Sequence, residues 1–324
     1  MMKVGIISFA HMHAYSYAEA LLNQDDVEIS GIYDSNAKRG RNASSKYSAT
    51  FYTSLESLLS SDIEAVVVTS ENVYHREHVT AAANAKKHVL CEKPIATTIE
   101  DAKAMIQCCE ENDVLLQTAF PVRFSSAIIR AKAIIDEGEL GDILAIKGTN
   151  RGTNPGGWFN DKELSGGGAV IDHTVHVVDV MRWILKSEIT SVYAEIDHLI
   201  SEKPIDDCGI LTMDFDNGVF ASLDCSWSRN DAYPTWGDVT LEFVGTEGTL
   251  SVDAFAQKIN VYSNDSGVHW SFWGDDMNQQ LIADFVEAIR EKRPPFITGE
   301  DGLKAVEVAL KAYESSNKKS SVHM

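Results

Sequence analysis

The chain has 324 residues, about twice a typical domain, and its 44% hydrophobic and 23% charged residues fit a folded globular protein rather than a disordered or fibrous one. Twenty-eight Lys and Arg stand against 48 Asp and Glu, a formal charge of −20. A surface that acidic repels phosphate backbones and anionic headgroups, so nucleic-acid and membrane partners are not expected. No apolar run reaches the roughly 18 residues of a membrane span. The opening run Met1-Met2-Lys3-Val4-Gly5-Ile6-Ile7 reads as a buried strand, because its apolar core stops at Ser8 and no signal-cleavage pattern follows. Five cysteines (Cys91, Cys108, Cys109, Cys208 and Cys225), odd in number and without C-x-x-C spacing, predict reduced thiols and a cytoplasmic setting.

In chain order, Val4-Gly5-Ile6-Ile7, residues 27–33, Ala65-Val66-Val67-Val68, His88-Val89-Leu90 and Val114-Leu115-Leu116 read as continuously apolar strands. Helical patterns separate them, clearest at 75–85 and 99–109. That alternation predicts an α/β domain over residues 1–120: a doubly wound parallel sheet with ligands at the carboxyl ends of its strands. Beyond residue 188 the period changes to two. Leu211, Met213 and Phe215 alternate with polar neighbours, Asp216-Asn217-Gly218 turns the chain, and Val219, Ala221, Leu223, Cys225 and Trp227 return. Val239, Leu241, Phe243, Leu250 and Val252 repeat the pattern. Residues 121–324 are therefore expected to form an α+β domain with a large, mostly antiparallel open sheet. Its uncovered face predicts a second copy of the chain. Helices at 277–289 and 303–313 flank Pro294-Pro295, and 315–324 reads as a frayed tail.

The first strand leads into a turn where a dinucleotide would rest its pyrophosphate on a helix N-terminus. The three glycine positions of G-x-G-x-x-G fall on Ser8, Ala10 and His13. Ser8 and Ala10 are small enough for backbone N–H groups to approach a phosphate, with Phe9 and His11 beside them, while His13 brings a bulky ring. A protonated His11 or His13 would add a cation there. His11-x-His13 also has metal-type spacing, but the sequence offers no further ligand, so no metal is expected. Asp34 ends the second strand where an acidic side chain takes ribose hydroxyls; a helix cap is its other reading. Thr69, Ser70, Asn72 and His75 follow the third strand, and Glu92 and Lys93 follow the fourth, all at the carboxyl edge. Lys93, between Glu92 and Pro94, suits a cleft lysine, with a solvated loop lysine as the alternative.

Past Gly166-Gly167-Gly168, the residues Asp172, His176 and Asp179 recur at i, i+4 and i+7 on a helix apolar nearly all round. Such a stripe is costly unless it lines a cleft or is fully paired, and two carboxylates beside a histidine favour an acid–base site over a core histidine. Trp158 sits in a Gly-rich loop, either stacking on a sugar face or anchoring the loop. Arg123 stands at the domain junction, for substrate or for an ion pair.

The order of Asn72-x-x-His75, Glu92-Lys93-Pro94, Gly166-Gly167-Gly168 and Asp172-x-x-x-His176 resembles the Gfo/Idh/MocA family, as do Gly245-Thr246-Glu247-Gly248 and Gly299-Glu300-Asp301-Gly302. The resemblance spans essentially the whole chain. It implies NAD, with NADP possible, and hydride transfer to or from a sugar, polyol or related hydroxy compound. It implies an N-terminal Rossmann domain, an open C-terminal sheet that forms a homodimer or homotetramer, and Lys93, Asp172 and His176 as catalytic residues with Arg123 near substrate; Asp172, His173, His176 and, by ring stacking, Trp158 complete the expected substrate set. Two alternatives stand beside it: a redox-assisted NAD-dependent glycosidase or lyase, and a non-catalytic sugar sensor.

Overall fold

The computed structural model describes residues 1–324. The chain divides into two compact units, Met1–Pro121 with Asn278–Leu303, and Val122–Met277 with Lys304–Met324. No helix is long and apolar enough to cross a membrane.

The first unit is built on β1 (Met2–Ile7), β2 (Val27–Tyr33), β3 (Thr50–Tyr52), β4 (Ala65–Val68), β5 (His88–Cys91) and β6 (Leu116–Thr118). The order is β3-β2-β1-β4-β5-β6 and every pairing is parallel. This is the doubly wound order, with its crevice where the winding reverses between β1 and β4. Val4, Ile6, Ile7 and all four residues of β4 are fully buried, because helices cover both faces and leave no reason to alternate. β3 was not expected: three half-exposed residues give too little pattern to read. β6 begins two residues later than the apolar run suggests.

The domain division at residue 120 needs one correction. Residues 278–303 belong to the first unit. They cover the edge strand β6: Gln117 Nε2 donates to the Leu281 carbonyl (3.3 Å) and Thr118 Oγ1 to that of Thr298 (3.1 Å). An exposed sheet edge is thereby closed by a later segment of the same chain.

The second unit holds β7 (Ile143–Gly152), β8 (Ile189–Asp197), β9 (Cys208–Phe215), β10 (Phe220–Asp224), β11 (Gly237–Gly245) and β12 (Thr249–Asp253). A separate hairpin follows, β13 (Lys258–Ser263) with β14 (Gly267–Phe272), and then β15 (Val322–His323). The large sheet runs β12-β11-β7-β10-β9-β8-β15, parallel only between β10 and β7. Leu211, Met213 and Phe215 are buried, whereas Ile210 and Phe220 are 55% and 60% exposed on the other face. The helix Ala169–Leu185 packs against the buried face. It lies so near β7 that a Cβ on Gly148 would stand 2.8 Å from Met181 Cε.

The frayed tail is also corrected. The last helix runs Gly299–Lys318, and Val322 pairs with Val192 as an added edge strand. Ser315 is fully buried, and its Oγ accepts the Ala194 N–H at 3.0 Å, so the polar tail is tied down by hydrogen bonds that hydropathy does not register.

Candidate functional site

In the first unit, β1 ends at Ile7 and is followed by Ser8, whose φ of +73° is a left-handed conformation that usually selects glycine. Serine is held there by its neighbours. Its N–H donates to the Tyr33 carbonyl (2.6 Å), its carbonyl accepts Thr69 Oγ1 (2.7 Å), and its hydroxyl oxygen accepts the Ala10 N–H (3.1 Å) and Arg39 Nη2 (3.3 Å). Most amides of the turn are used internally. Phe9 N–H donates to Asp34 Oδ2 (2.8 Å), His11 N–H to the Thr69 carbonyl (3.0 Å), and His13 N–H to His11 Nδ1 (3.1 Å). These amides are therefore already engaged, by Asp34 and Thr69 at the ends of neighbouring strands and by Ser8 and His11 within the turn. The helix His13–Leu22 has no acidic residue in its first turn, so its positive end favours an anion, although its first three amides are engaged by His11 Nδ1, the His11 carbonyl and the Met12 carbonyl.

Asp34 is buried at the end of β2 and accepts from four donors: Phe9 N–H, Asn36 N–H (2.8 Å), and Arg39 through Nε (2.7 Å) and Nη2 (2.9 Å). The helix-cap role falls instead to Asn36, whose side chain accepts the Arg39 N–H. Arg39 also lies 3.7 Å from Glu71. Burial alone would lower the guanidinium's affinity for its proton, yet Asp34 and Glu71 hold it above its ordinary value.

Glu92 and Lys93 are both buried after β5, and the Lys93–Pro94 peptide is cis, so the solvated-loop reading of Lys93 does not describe this side chain. Glu92 Oε1 stands 3.1 Å from His13 Nδ1 and 3.8 Å from His11 Nε2. These three are the grouping of metal-ligand type that the sequence left incomplete, with Glu92 as the third member. The hydrogen bonding argues for another state. His11 Nδ1 accepts an amide proton, so a neutral His11 carries its own proton on Nε2, where a metal needs a lone pair. The arrangement is a carboxylate hydrogen-bonded to His13 with the ring of His11 in ion-pair range. Burial would raise the Glu92 pKa, but His11, His13 and Lys93 outweigh it and hold the carboxyl well below its usual range.

Thr69, Ser70, Asn72 and His75 are all buried. His75 faces the Pro94 carbonyl through Nδ1 (2.9 Å) and the Ser70 carbonyl through Nε2 (3.2 Å), so it ties the loop after β4 to the loop after β5. Ser70 Oγ meets His78 Nδ1 at 2.9 Å.

In the second unit, the polar stripe lies where its spacing placed it, on the helix Ala169–Leu185. Asp172, His173, His176 and Asp179 are each at most 6% exposed. The glycines before the helix admit a cap from the same chain. Asp206 accepts the N–H groups of Gly168 (2.7 Å, Oδ1) and Val170 (2.9 Å, Oδ2), and its carbonyl accepts that of Ala169 (2.9 Å). Tyr313 hydroxyl donates to Asp206 (3.0 Å) and accepts the Ile171 N–H (3.3 Å). A Cβ on Gly168 would fall 1.9 Å from the Asp206 carbonyl oxygen, and one on Gly167 2.3 Å from the Tyr313 hydroxyl. Asp172 Oδ2 accepts Trp227 Nε1 at 3.2 Å and lies 3.4 Å from His173 Nε2. Neither Asp206 nor Trp227 was singled out for this site: Trp227 read only as the last member of an alternating strand, and nothing local marks Asp206.

Two expected substrate residues are otherwise engaged. Arg123 makes a buried bidentate ion pair with Asp179 inside this unit, with Nε 2.9 Å from Oδ2. Asp179 is thereby the paired member of the stripe. Trp158 is half-buried and stacks on Phe159 at 4.0 Å between ring centroids, against a small core of Phe159, Ala169, Ile205 and Trp227.

Comparison with known proteins agrees with both units. Residues 2–120 match the profile described as an oxidoreductase family with an NAD-binding Rossmann fold, and residues 128–251 that of the GFO/IDH/MocA C-terminal domain. The chain is 27% identical to a myo-inositol 2-dehydrogenase of Thermotoga maritima over 336 aligned positions, covering 100% of this chain and 98% of that protein. It is 30% identical to a D-xylose 1-dehydrogenase (NADP(+)) of Haloarcula marismortui, over 81% of this chain and 74% of that one. Among solved structures, GenD2 from gentamicin A biosynthesis, in complex with NAD, superposes with a TM-score of 0.91 at 25% identity, over 100% of this chain and 96% of the other.

Proposed function

The chain belongs to the Gfo/Idh/MocA oxidoreductase family, and from that premise we propose that it moves a hydride between NAD and a hydroxyl-bearing carbon of a sugar or polyol. The observation that carries this reading is the acid–base stripe of Asp172 and His176, built into a buried, deliberately capped helix of a chain whose other half is an NAD-binding Rossmann domain. The alternatives, a glycosidase or lyase and a sensor, are not favoured by the relatives, most of which are named as dehydrogenases or other oxidoreductases, although one is named a hydratase.

The residues present fit a dinucleotide. The positive end of the helix that begins after Met12, with Ser8, Phe9, Ala10, His11 and His13 shaping the turn, would hold its pyrophosphate; Asp34 and Arg39 would meet the ribose. Thr69, Ser70, Asn72, His75 and Glu92 would line the remaining edge. A bound nicotinamide supplies the hydride acceptor or donor. His176 takes or returns the hydroxyl proton, a task suited to imidazole near neutrality. Lys93 donates to the same oxygen and stabilises alkoxide charge as it develops. Asp172 orients a neighbouring hydroxyl, with His173, Trp158 and Arg123 in the surrounding wall. The open face of the large sheet pairs with another copy of the chain, and five cysteines without a disulfide suit a reducing cytoplasm.

Replacing Lys93 or His176 with alanine is the direct test. Each variant should lose at least about 10²–10³ in kcat while keeping its fold and its NADH affinity. A folded variant retaining more than about a tenth of parental turnover removes that residue from the chemistry.

A further inference from the structure

Asp172 and His173 are neighbours in the first turn of their helix, and the ring of His173 is nearly sealed from solvent. Its Nδ1 faces the Cys225 carbonyl at 3.2 Å, and its Nε2 lies 3.4 Å from Asp172 Oδ2. Turning the ring over would set carbon atoms against both oxygens. Neutral imidazole has only one N–H, and a carbonyl can only accept, so Nδ1 must carry a proton. Nε2 then meets a carboxylate either with a lone pair, which repels, or with a second proton, which attracts.

Aromatic side chains and backbone of the same unit pack around the ring. Trp227 and Trp236 present rings at 6.3 and 5.9 Å. Gly152 of β7 packs on the imidazole edge, where a Cβ would come within 2.6 Å of Cε1. Asn150 donates to the His173 carbonyl at 2.9 Å. The guanidinium groups of Arg151 and Arg229, from the same surroundings, are turned to Asp238.

We propose that His173 is held as an imidazolium, and that with Trp227 it is the positioning residue that keeps the Asp172 carboxylate ionised and aimed for the reaction. This rests on the assignment of Asp172 to the reacting site. Asp172 Oδ2 then has two donors, one of them a cation, and the helix N-terminus adds a further preference for negative charge at that position.

Nitrogen-15 NMR of the imidazole, on the protein alone, reads the charge without any turnover. His173, assigned by the signal lost in His173→Gln, should be protonated on both nitrogens at about pH 8, where an ordinary histidine is neutral. A single-proton tautomer at that pH overturns the proposal. The positioning role is read from kinetics on a sugar or polyol that the parent enzyme turns over. His173→Asn keeps an amide donor for the Cys225 carbonyl and removes the cation. Its kcat should fall about tenfold with KM changed less than about threefold, and the acid limb of kcat/KM should move to higher pH by about one unit, because Asp172 becomes easier to protonate. An unmoved acid limb in a folded variant means the pair is structural only and overturns the role; His173→Gln replaces the asparagine variant should that one fail to fold. A parent protein inactive on every polyol counts against the functional reading, while the NMR result still decides the charge of His173.

Discussion

Asp34 is a buried carboxylate that carries its own counter-charge, the guanidinium of Arg39. Its position at the end of β2 was readable, but not the bidentate clasp from Arg39, five residues along the chain. A bare carboxylate rejects the 2′-phosphate of NADP strongly; one neutralised by a guanidinium rejects it less, and that cation is itself a phosphate ligand. We expect kcat/KM to favour NAD, and Arg39→Ala to widen the preference by roughly tenfold, about 1.4 kcal/mol. A parent enzyme that prefers NADP would show that Arg39 dominates. Two buried histidines make a separate prediction. Burial, reinforced by His75, pushes His78 down to about 4, and burial lowers His75 as well. A histidine whose folded pKa is depressed is neutral in the native state but protonates in the unfolded chain, so the unfolded state binds more protons between the two values. Stability should therefore be complete above about pH 7 and decline as the pH falls from about 6.5 toward 4, by at most about 3 kcal/mol for His78. Urea midpoints across that range test it, and His78→Gln should flatten the profile.

At the scale of an element, the helix Ala169–Leu185 is the piece on which the site depends. Its stripe was legible because 3.6-residue periodicity is local. The reason for its glycines was not, because the groups they admit come from elsewhere: Asp206 lies 38 residues beyond Gly168, and Tyr313 lies 142 beyond Ile171. Three N–H groups at the helix start, those of Gly168, Ala169 and Val170, end on one aspartate, which no sequence window contains. Asp206→Ala should cost about 1–2 kcal/mol from the lost cap. Gly168→Ala should cost about 1–3 kcal/mol, since a Cβ there collides with backbone rather than with a yielding side chain. Both are read as shifts in urea midpoint at constant m, and a midpoint unchanged in Gly168→Ala would contradict the packing described.

For the molecule as a whole, the second sheet leaves Val244 (38%), Ile210 (55%) and Phe220 (60%) exposed on one face. Scattered apolar residues need no explanation, but a patch on one sheet face of a chain with charge −20 calls for a cover. Sedimentation should give a mass two or four times the 35.7 kDa chain, and Phe220→Glu with Ile210→Glu should shift it toward the monomer. A monomeric parent at micromolar concentration would end that reading.

The amino-acid order alone determined the parallel sheet of the first half, the alternating sheet of the second and the stripe of Asp172, His176 and Asp179, because each is a periodic pattern carried by residues close in the chain. Tertiary structure decided the pairings. It gave Asp179 to Arg123, Asp34 to Arg39, Glu92 to His11 and His13, and the helix start to Asp206 and Tyr313. It also moved residues 278–303 into the first unit and fixed the terminal strand against β8. Hydrogen bonds and ion pairs between distant residues have no period, and a buried charge finds its partner only when the fold has brought the two together.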